Sequence, residues 1–219
     1  MFSDSEENYL KAIFHLERLS KNGVSTNAIA DRMETKASSV TDMLKKLSDK
    51  DLVNYIKYQG VTLTPKGKKT AAAIIRKHRL WEVFLVEKLD FNWDEVHEIA
   101  EQLEHIESEK LIDQLDKLLD FPKFDPHGDP IPSKEGTFPE RDKKLLSDID
   151  VGKSGVCVGV KDTSSSFLKF LDKNGIALGK TIHVIDHEEF DDSLKIDVNG
   201  HRLSISNIVA SNLFIKPNS

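Results

Sequence analysis

The sequence predicts an α+β fold with an N-terminal winged helix-turn-helix, a helical middle segment and a small C-terminal SH3-like β-barrel. Three observations favour it. Apolar residues recur at helical spacing through most of residues 8–119, two short alternating stretches interrupt them at residues 52–64, and short alternating strands dominate after residue 154. The expected domains are residues 1–73, 74–140 and 154–219, with a linker over 141–153.

The first third of the chain has the pattern of a helix-turn-helix followed by a wing. Predicted helices cover Asn8–Leu19, Ala28–Met33 and Ser38–Leu47. The second helix follows the cap-forming residues 25–27, and a short break separates it from the third. Residues 52–58 alternate, Gln59-Gly60 is a turn signal, and residues 61–64 return, which predicts a β-hairpin.

Three amphipathic helices are predicted in the middle segment, over Pro65–Lys88, Asp94–Ile106 and Glu109–Leu119. They carry more apolar residues than one small core needs. A homodimer interface is the favoured explanation, and burial against a neighbouring domain is the alternative. The surplus residues are Leu80, Trp81, Phe84, Leu85, Leu89, Ile112, Leu115, Leu118 and Leu119.

The C-terminal part is predicted to be a small β-domain. A proline-rich irregular stretch, Phe121–Pro139, and a polar linker, Lys143–Lys153, precede it. Asn199-Gly200 is a hairpin signal. Strands are expected over Val156–Val160, Thr181–Asp186, Leu194–Val198 and Leu203–Ile205, with a short helix over Ser166–Leu171.

Composition excludes some classes of protein. No apolar run approaches the ~20 residues of a membrane span, and the N-terminus lacks the features of a signal peptide. The single cysteine, Cys157, lies in an alternating strand and is interpreted as a core residue, so no internal disulfide framework exists and a cytoplasmic location is expected. Residues 36–79 hold eleven Lys/Arg and three Asp/Glu, whereas the net charge of the chain is −6. This basic segment on an acidic body indicates a polyanion-binding module.

The helix expected at residues 94–106 carries a stripe of potential metal ligands. His97, Glu101, Glu104 and His105 are spaced i, i+4, i+7 and i+8, which places them on one helical face. His78 and Glu82 form a further i, i+4 pair. Imidazole and carboxylate together suit Mn(II), Fe(II), Co(II) or Zn(II). A solvated acidic face is the alternative, but two histidines in register favour a metal site.

Three motifs resemble the diphtheria toxin repressor family of metal-dependent winged-helix repressors. They are KHRLWEVFL at 77–85, HEIAEQLEH at 97–105 and DPHGDPIP at 125–132. The resemblance covers the whole chain and is strongest to the manganese-responsive branch with a C-terminal SH3-like (FeoA-like) domain. It implies a homodimer on double-stranded operator DNA. It also implies a primary metal site of Asn8, Glu101, Glu104 and His105, a second of His78, Glu82 and His97, and further ligands Asp125, His127 and Asp162.

The chain departs from the family pattern at several of these positions. Asn8 stands where manganese-responsive members usually carry aspartate, and Asp125 where near relatives often have a sulfur ligand. Positions that ligate in the iron-responsive branch fall on Thr163 and Ser166, which are weak ligands. Glu101 replaces a sulfur residue of that branch, and its hard oxygen favours Mn(II). Fe(II) is the alternative, and Co(II), Zn(II) or Cd(II) are expected to substitute in vitro.

The predicted recognition helix begins with small polar residues that could reach base edges in the major groove. These are Ser38, Ser39, Thr41 and Asp42. Phosphate contacts are expected from Lys36, Lys45, Lys46 and Lys57, and from Thr26 and Asn27 at the start of the preceding helix.

Three functions compete at this point. The first is a metal-activated repressor controlling metal homeostasis, with no membrane partner and no organic substrate. The second is a metal-dependent phosphodiesterase with an attached DNA-binding domain, which the missing His-Glu-x-x-His motif and glycine-rich phosphate loop disfavour. The third is a metal-independent DNA-binding module whose C-terminal domain docks a protein.

Overall fold

The computed structural model describes residues 2–20, 23–56 and 60–218. The chain divides into two compact units. The first comprises Met1–His78, Glu101–Asp113 and Pro132–Phe138, and the second Arg79–Ala100, Gln114–Ile131 and Pro139–Ser219.

The first unit begins with a winged helix. Its elements are α1 (Asp4–Glu17), α2 (Thr26–Arg32), α3 (Ala37–Asp49), β1 (Val53–Ile56) and β2 (Gly60–Leu63). Ser3 and Glu6 form a capping box on α1, and the hydroxyl of Ser25 accepts from the backbone amide of Ala28 on α2. The two strands pair antiparallel, and of the predicted turn Gln59-Gly60 only Gly60 lies within the described residues, as the first residue of β2.

A single long helix, α4 (Pro65–Leu89), follows the wing and agrees closely with its predicted range. Pro65 occupies the first helical position, and the Thr64 hydroxyl accepts from the backbone amide of Gly67. A Cβ at residue 67 would lie 1.9 Å from the Leu52 carbonyl oxygen, so only glycine fits there. The packed wing therefore fixes where α4 starts.

The ligand helix is shorter than predicted. Helix α5 spans Val96–Leu103 and α6 spans Glu109–Leu118. Residues 104–108 form the turn between them, because the hydroxyl of Ser108 accepts from the amide of Leu111 and starts α6. Glu104 and His105 consequently lie just beyond the helix whose stripe they were expected to share.

A six-stranded antiparallel sheet dominates the second unit, in the order β3-β8-β4-β5-β6-β7. The strands are β3 (Lys144–Leu145), β4 (Ser154–Val160), β5 (Thr181–His187), β6 (Leu194–Val198), β7 (His201–Ile205) and β8 (Leu213–Pro217), with α7 (Ser165–Lys173) and α8 (Asn207–Ala210) between them. Asn199 and Gly200 both have positive φ, as the predicted hairpin requires. Within the described residues the sheet is open at β3 and β7, and its architecture fits the predicted SH3-like fold.

The segment expected to be a polar linker is partly built into this sheet. Strand β3 pairs with β8, and Leu146 in the following 3₁₀ turn is fully buried. Cys157 is buried in the same core, as expected, and burial raises the pKa of its thiol to about 11. The segment differs from the predicted linker because the buried side chain of Leu146 holds this charged stretch against the sheet.

Most of the surplus apolar residues of the middle segment are already buried within one chain. Leu80, Trp81 and Leu85 are all under a tenth exposed, and so are the three on α6 and its end, Ile112, Leu115 and Leu119. Leu89 and Leu118 remain more than half exposed. The number of apolar residues in the middle segment therefore overestimated the apolar surface that is available for a dimer interface.

Among the described residues, no helix has the length and apolar character needed to cross a lipid bilayer.

Candidate metal centre

Helix α1 presents three polar side chains on one face. Glu7, Asn8 and Lys11 are separated by one helical turn or less, while Leu10 and Ile13 on another face are fully buried. Glu7 itself is only 6% exposed. Burial of ionisable groups on a helix that also packs a core indicates partners for them.

Those partners come from α4 and from the end of α5. The Nζ atom of Lys11 lies 2.6 Å from both Glu101 Oε2 and Glu104 Oε1. Glu104 is completely buried, and its other oxygen, Oε2, lies 2.6 Å from His78 Nδ1. His78 Nδ1 is also 3.8 Å from Glu101 Oε2. We call the set Glu7, Asn8, Lys11, His78, Glu101, Glu104 and His105 the α1–α5 cluster.

His105 reaches α1 through the glutamate next to Asn8. Its Nδ1 lies 2.6 Å from Glu7 Oε2, and Lys77 Nζ lies 3.8 Å from the other oxygen of Glu7. The Oδ1 atom of Asn8 is buried and has no hydrogen-bond donor within the described residues. Leaving a buried carbonyl oxygen unsatisfied costs ~1–3 kcal/mol.

The donor set fits a divalent cation. Two carboxylates, two imidazoles and the unsatisfied amide oxygen of Asn8 combine hard oxygen with nitrogen ligands, as first-row metals of borderline softness prefer. Of the expected primary ligands, Glu101 and Glu104 contact Lys11 and His105 contacts Glu7, while Asn8 lies between Glu7 and Lys11 on α1. Sequence reasoning missed Lys11, because its carboxylate partners lie 90 or more residues away in the chain.

A second group of potential ligands lies in the other unit. One ligand atom each of Glu82, Asp125 and His127 fall within 4.8 Å of one another, and all three residues are buried. His127 Nδ1 is 3.7 Å from Glu82 Oε2, and His97 Nδ1 is 3.4 Å from Glu82 Oε1. The His97 side chain is 59% exposed, so it lies at the rim of this group.

The proline-rich loop is shaped to hold His127. Asp125 Oδ1 accepts from the backbone amides of His127 and Asp129, which closes a tight turn. The Nε2–H of His127 donates to the Trp93 carbonyl at 2.8 Å, so Nδ1 faces Glu82. Fixing one ring nitrogen in this way is how proteins orient a histidine ligand.

Charge interactions in this buried group shift two pKa values. Burial raises the pKa of Asp125, and the negative charge of Glu82 raises it further. The positive charge of Arg79 lowers it, and the resulting pKa is about 7. Burial lowers the pKa of His127, but its hydrogen bond to Glu82 and the Glu82 charge outweigh burial and raise it to about 9. A protonated His127 therefore compensates the carboxylates near neutral pH.

Asp162 is not part of the metal-ligand group that the described residues form around Glu82. Its Oδ1 accepts from the backbone amide of Ser164 at 2.8 Å, just before α7. Thr163 and Ser166 are exposed.

The expected DNA-contact residues lie on the winged helix. Val40, Leu44 and Leu47 of α3 are fully buried, which leaves its other face exposed. Lys36, Ser38, Ser39, Asp42, Lys45 and Lys46 are exposed there, as is Asn27 on α2, while Thr26 and Thr41 are half-buried. The Thr41 hydroxyl donates to the Ala37 carbonyl, and Lys45 pairs with Asp42 at 3.2 Å. Lys57 lies outside the described residues.

A winged helix joined to buried carboxylate–imidazole clusters defines a class of metal-binding, DNA-binding proteins. Family models agree part by part: "Iron dependent repressor, N-terminal DNA binding domain" matches residues 1–61, "Iron dependent repressor, metal binding and dimerisation domain" residues 64–133, and "FeoA domain" residues 144–217. The chain belongs to the iron-dependent repressor family, which includes the diphtheria toxin repressor.

Named relatives fall in both metal branches. The chain is 36% identical to the iron-dependent repressor IdeR of Mycobacterium leprae over 59% of this chain and 56% of that protein. It is 35% identical to the regulator MntR of Oceanobacillus iheyensis over 57% of this chain and 84% of MntR. The matched part thus spans about half the length of IdeR. A solved structure described as a manganese-dependent transcriptional repressor in complex with manganese has 33% identity and a TM-score of 0.86, covering 97% of this chain and 100% of that one.

Proposed function

We propose that the protein is a metal-activated transcriptional repressor that binds double-stranded operator DNA as a homodimer and controls metal homeostasis. One observation carries the proposal: Glu7 and Lys11, on the first helix of the DNA-binding domain, contact His105 and Glu104. The relatives named above are repressors and regulators, which argues against the phosphodiesterase alternative.

The ligands of this cluster connect α1 with the region where α5 ends. A bound cation supplies positive charge that several buried carboxylates can share. Glu101 and Glu104 provide hard oxygens, His78 and His105 provide nitrogens, and Asn8 provides the amide oxygen that otherwise lacks a donor. Because Asn8 belongs to α1, ligation restricts the position of the winged helix.

This coupling is reciprocal. If ligation stabilises the arrangement of the recognition helices that suits the operator, DNA binding tightens metal binding by the same factor. We assign the major-groove contacts to the exposed start of α3 and phosphate contacts to the lysines around it. Glu82, Asp125 and His127 form an additional metal site in this proposal, with His97 at its rim.

Mn(II) is the favoured activator because the ligands of the α1–α5 cluster are oxygen and nitrogen, without sulfur. The relatives include proteins named for iron and for manganese, so the metal needs a direct comparison. Operator binding by one purified sample, measured anaerobically with Mn(II) and with Fe(II), makes that comparison.

The test of function starts from a random duplex library, because the operator sequence is not fixed by the protein. Selection with and without Mn(II) should yield a shared sequence only when metal is present. The Glu104→Gln variant should select none, whereas Glu109→Gln, an exposed carboxylate at the start of α6, should behave as wild type. Sedimentation should give twice the 24.7 kDa monomer mass with or without metal. Metal-independent selection of the same sequence would contradict the proposal.

A further inference from the structure

A lysine of α1 lies among the residues assigned as metal ligands. Lys11 Nζ is 2.6 Å from Glu101 Oε2 and 2.6 Å from Glu104 Oε1. The Lys11 side chain is only 15% exposed, and Glu104 is completely buried. Glu101 is partly exposed, with 35% of its side chain accessible, so the contact with buried Glu104 is the stronger of the two charge-assisted interactions.

The ammonium group and a metal ion would compete for the same two carboxylates, because Lys11 already occupies one oxygen of each. Carboxylate oxygens bind a divalent metal at roughly 2.0–2.2 Å. A metal on either oxygen that Lys11 contacts at 2.6 Å would lie less than about 5 Å from the ammonium group, and like charges this close repel strongly beside the buried Glu104. Metal ligation by Glu101 and Glu104 therefore requires the Lys11 ammonium to leave.

We infer that Lys11 is a built-in counter-ion that competes with the activating metal for Glu101 and Glu104. It neutralises the two carboxylates in the metal-free protein, and its displacement raises the metal concentration at which the protein responds. The long flexible side chain of lysine makes such displacement feasible without moving α1. This inference rests on the proposed metal site and deepens it by naming the residue that sets its threshold.

Other nearby cations do not have the same role. Lys77 approaches Glu7 rather than Glu101 or Glu104, and at 3.8 Å. His78 contacts Glu104 at 2.6 Å, but its neutral form is itself a metal ligand. Lys11, in contrast, carries no lone pair for a metal when charged, so it can only compete.

The experiment measures Mn(II) binding to the full-length protein without DNA. Free Mn(II) is followed by its electron paramagnetic resonance signal, which decreases on binding. Wild type is compared with Lys11→Met, Lys11→Arg and the control Lys68→Met, which removes an equal charge from an exposed lysine 3.6 Å from Glu17 of α1. All of these proteins also carry His127→Ala, which removes a ligand of the other proposed metal site, so that the measured Mn(II) binding comes from the α1–α5 cluster.

Lys11→Met should bind Mn(II) roughly tenfold or more tightly than wild type, because losing a buried charge-assisted competitor is worth at least that factor. Lys11→Arg should stay within about threefold of wild type, since it keeps the cation. Lys68→Met should not differ. Metal-free Lys11→Met should also unfold at a lower urea concentration, because the buried Glu104 and the partly exposed Glu101 lose their cation.

Unchanged or weaker Mn(II) binding by folded Lys11→Met would overturn the inference, as would equal tightening by Lys11→Arg. A Lys11→Met variant that does not fold is replaced by Lys11→Gln, for which the same tightening is expected and the same outcomes count. Failure of the proposed function is a separate result: wild type would then bind no Mn(II), or His105→Ala would bind as well as wild type.

Discussion

The Nδ1 atom of His105 lies 2.6 Å from Oε2 of Glu7, which ties the turn after α5 to the first helix of the DNA-binding domain. Sequence spacing could not show this pair, because 98 residues separate them. Glu7 is buried and adjacent to Asn8, so it either orients His105 or takes part in ligation itself. Both roles predict that its charge matters.

Removing that charge should weaken metal binding. We expect Glu7→Gln to lower Mn(II) affinity by roughly 10–100-fold, the usual cost of losing a partner that orients a ligand. His105→Ala should abolish Mn(II)-dependent DNA binding while the fold persists. Calorimetric titration measures the affinity, and Glu17→Gln on the same helix is the control. Wild-type affinity in Glu7→Gln would mean that the His105 contact is only structural.

The shifted pKa values of Asp125 and His127 predict that Mn(II) binding to Glu82, Asp125 and His127 releases protons. With pKa values of about 9 for His127 and about 7 for Asp125, both groups hold protons near pH 6.5, whereas at pH 8 only His127 does. Ligation requires the unprotonated forms. In a His105→Ala background, Mn(II) binding should release between about one and two protons at pH 6.5 and about one at pH 8.

The affinity of the His127 site for Mn(II) should depend on pH. Affinity at this site should rise as pH increases towards 9, because fewer protons remain to be displaced. Titrations in buffers of different ionisation enthalpy count the protons. His127→Gln should remove the contribution seen at pH 8. A release that does not change between pH 6.5 and 8 would show that Asp125 does not titrate there.

The loop that carries His127 depends on a glycine. Gly128 has a φ of +84°, and a Cβ there would lie 2.1 Å from the Val158 carbonyl oxygen of β4. Its neighbour His127 accepts from the Val160 amide, so the same strand fixes the loop. Gly128→Ala should destabilise the protein by about 2 kcal/mol or more and weaken Mn(II) binding at Glu82 and Asp125.

Gly152→Ala is the control for Gly128→Ala, because it introduces the same backbone strain without a steric clash. Gly152 has a φ of +82° but nothing within 4 Å of the added Cβ. Urea denaturation should therefore show a loss of only ~1 kcal/mol for Gly152→Ala. Equal losses in the two variants would mean that the close approach to Val158 contributes nothing.

Local patterns predicted much of the fold, and long-range pairing accounts for what they missed. Pro65 predicted the start of α4, and Leu194–Val198 alternates cleanly as strand β6. Strand β8 was missed because its apolar run ends in a lysine and a proline, and its register comes from pairing with β3 and β4. The ionic partner of Lys11 is 90 residues away, and no spacing rule reveals it.

Lys46 provides a test of the DNA surface. It is exposed on α3, opposite the buried face formed by Val40, Leu44 and Leu47. Lys46→Ala should weaken binding to specific and random duplexes alike and reduce the slope of log K against log salt by about one. Anisotropy titrations from low to physiological salt measure it, and Lys173→Ala in α7 is the control. An unaltered slope would place Lys46 away from phosphate.

Metal preference should depend on the chemistry of residue 101. Glu101 offers a hard oxygen to the α1–α5 cluster, and a sulfur ligand at that position would favour later metals. We expect Glu101→Cys to shift activation from Mn(II) towards Fe(II), Co(II) or Zn(II), with the Mn(II) response falling most. Asn8→Asp should act oppositely, because the unsatisfied Oδ1 of Asn8 becomes a charged ligand and the Mn(II) concentration needed for DNA binding falls. Activation curves taken anaerobically with each metal compare the variants. If Glu101→Cys keeps the wild-type ranking while Asn8→Asp alters it, selectivity is set on α1 rather than at the end of α5.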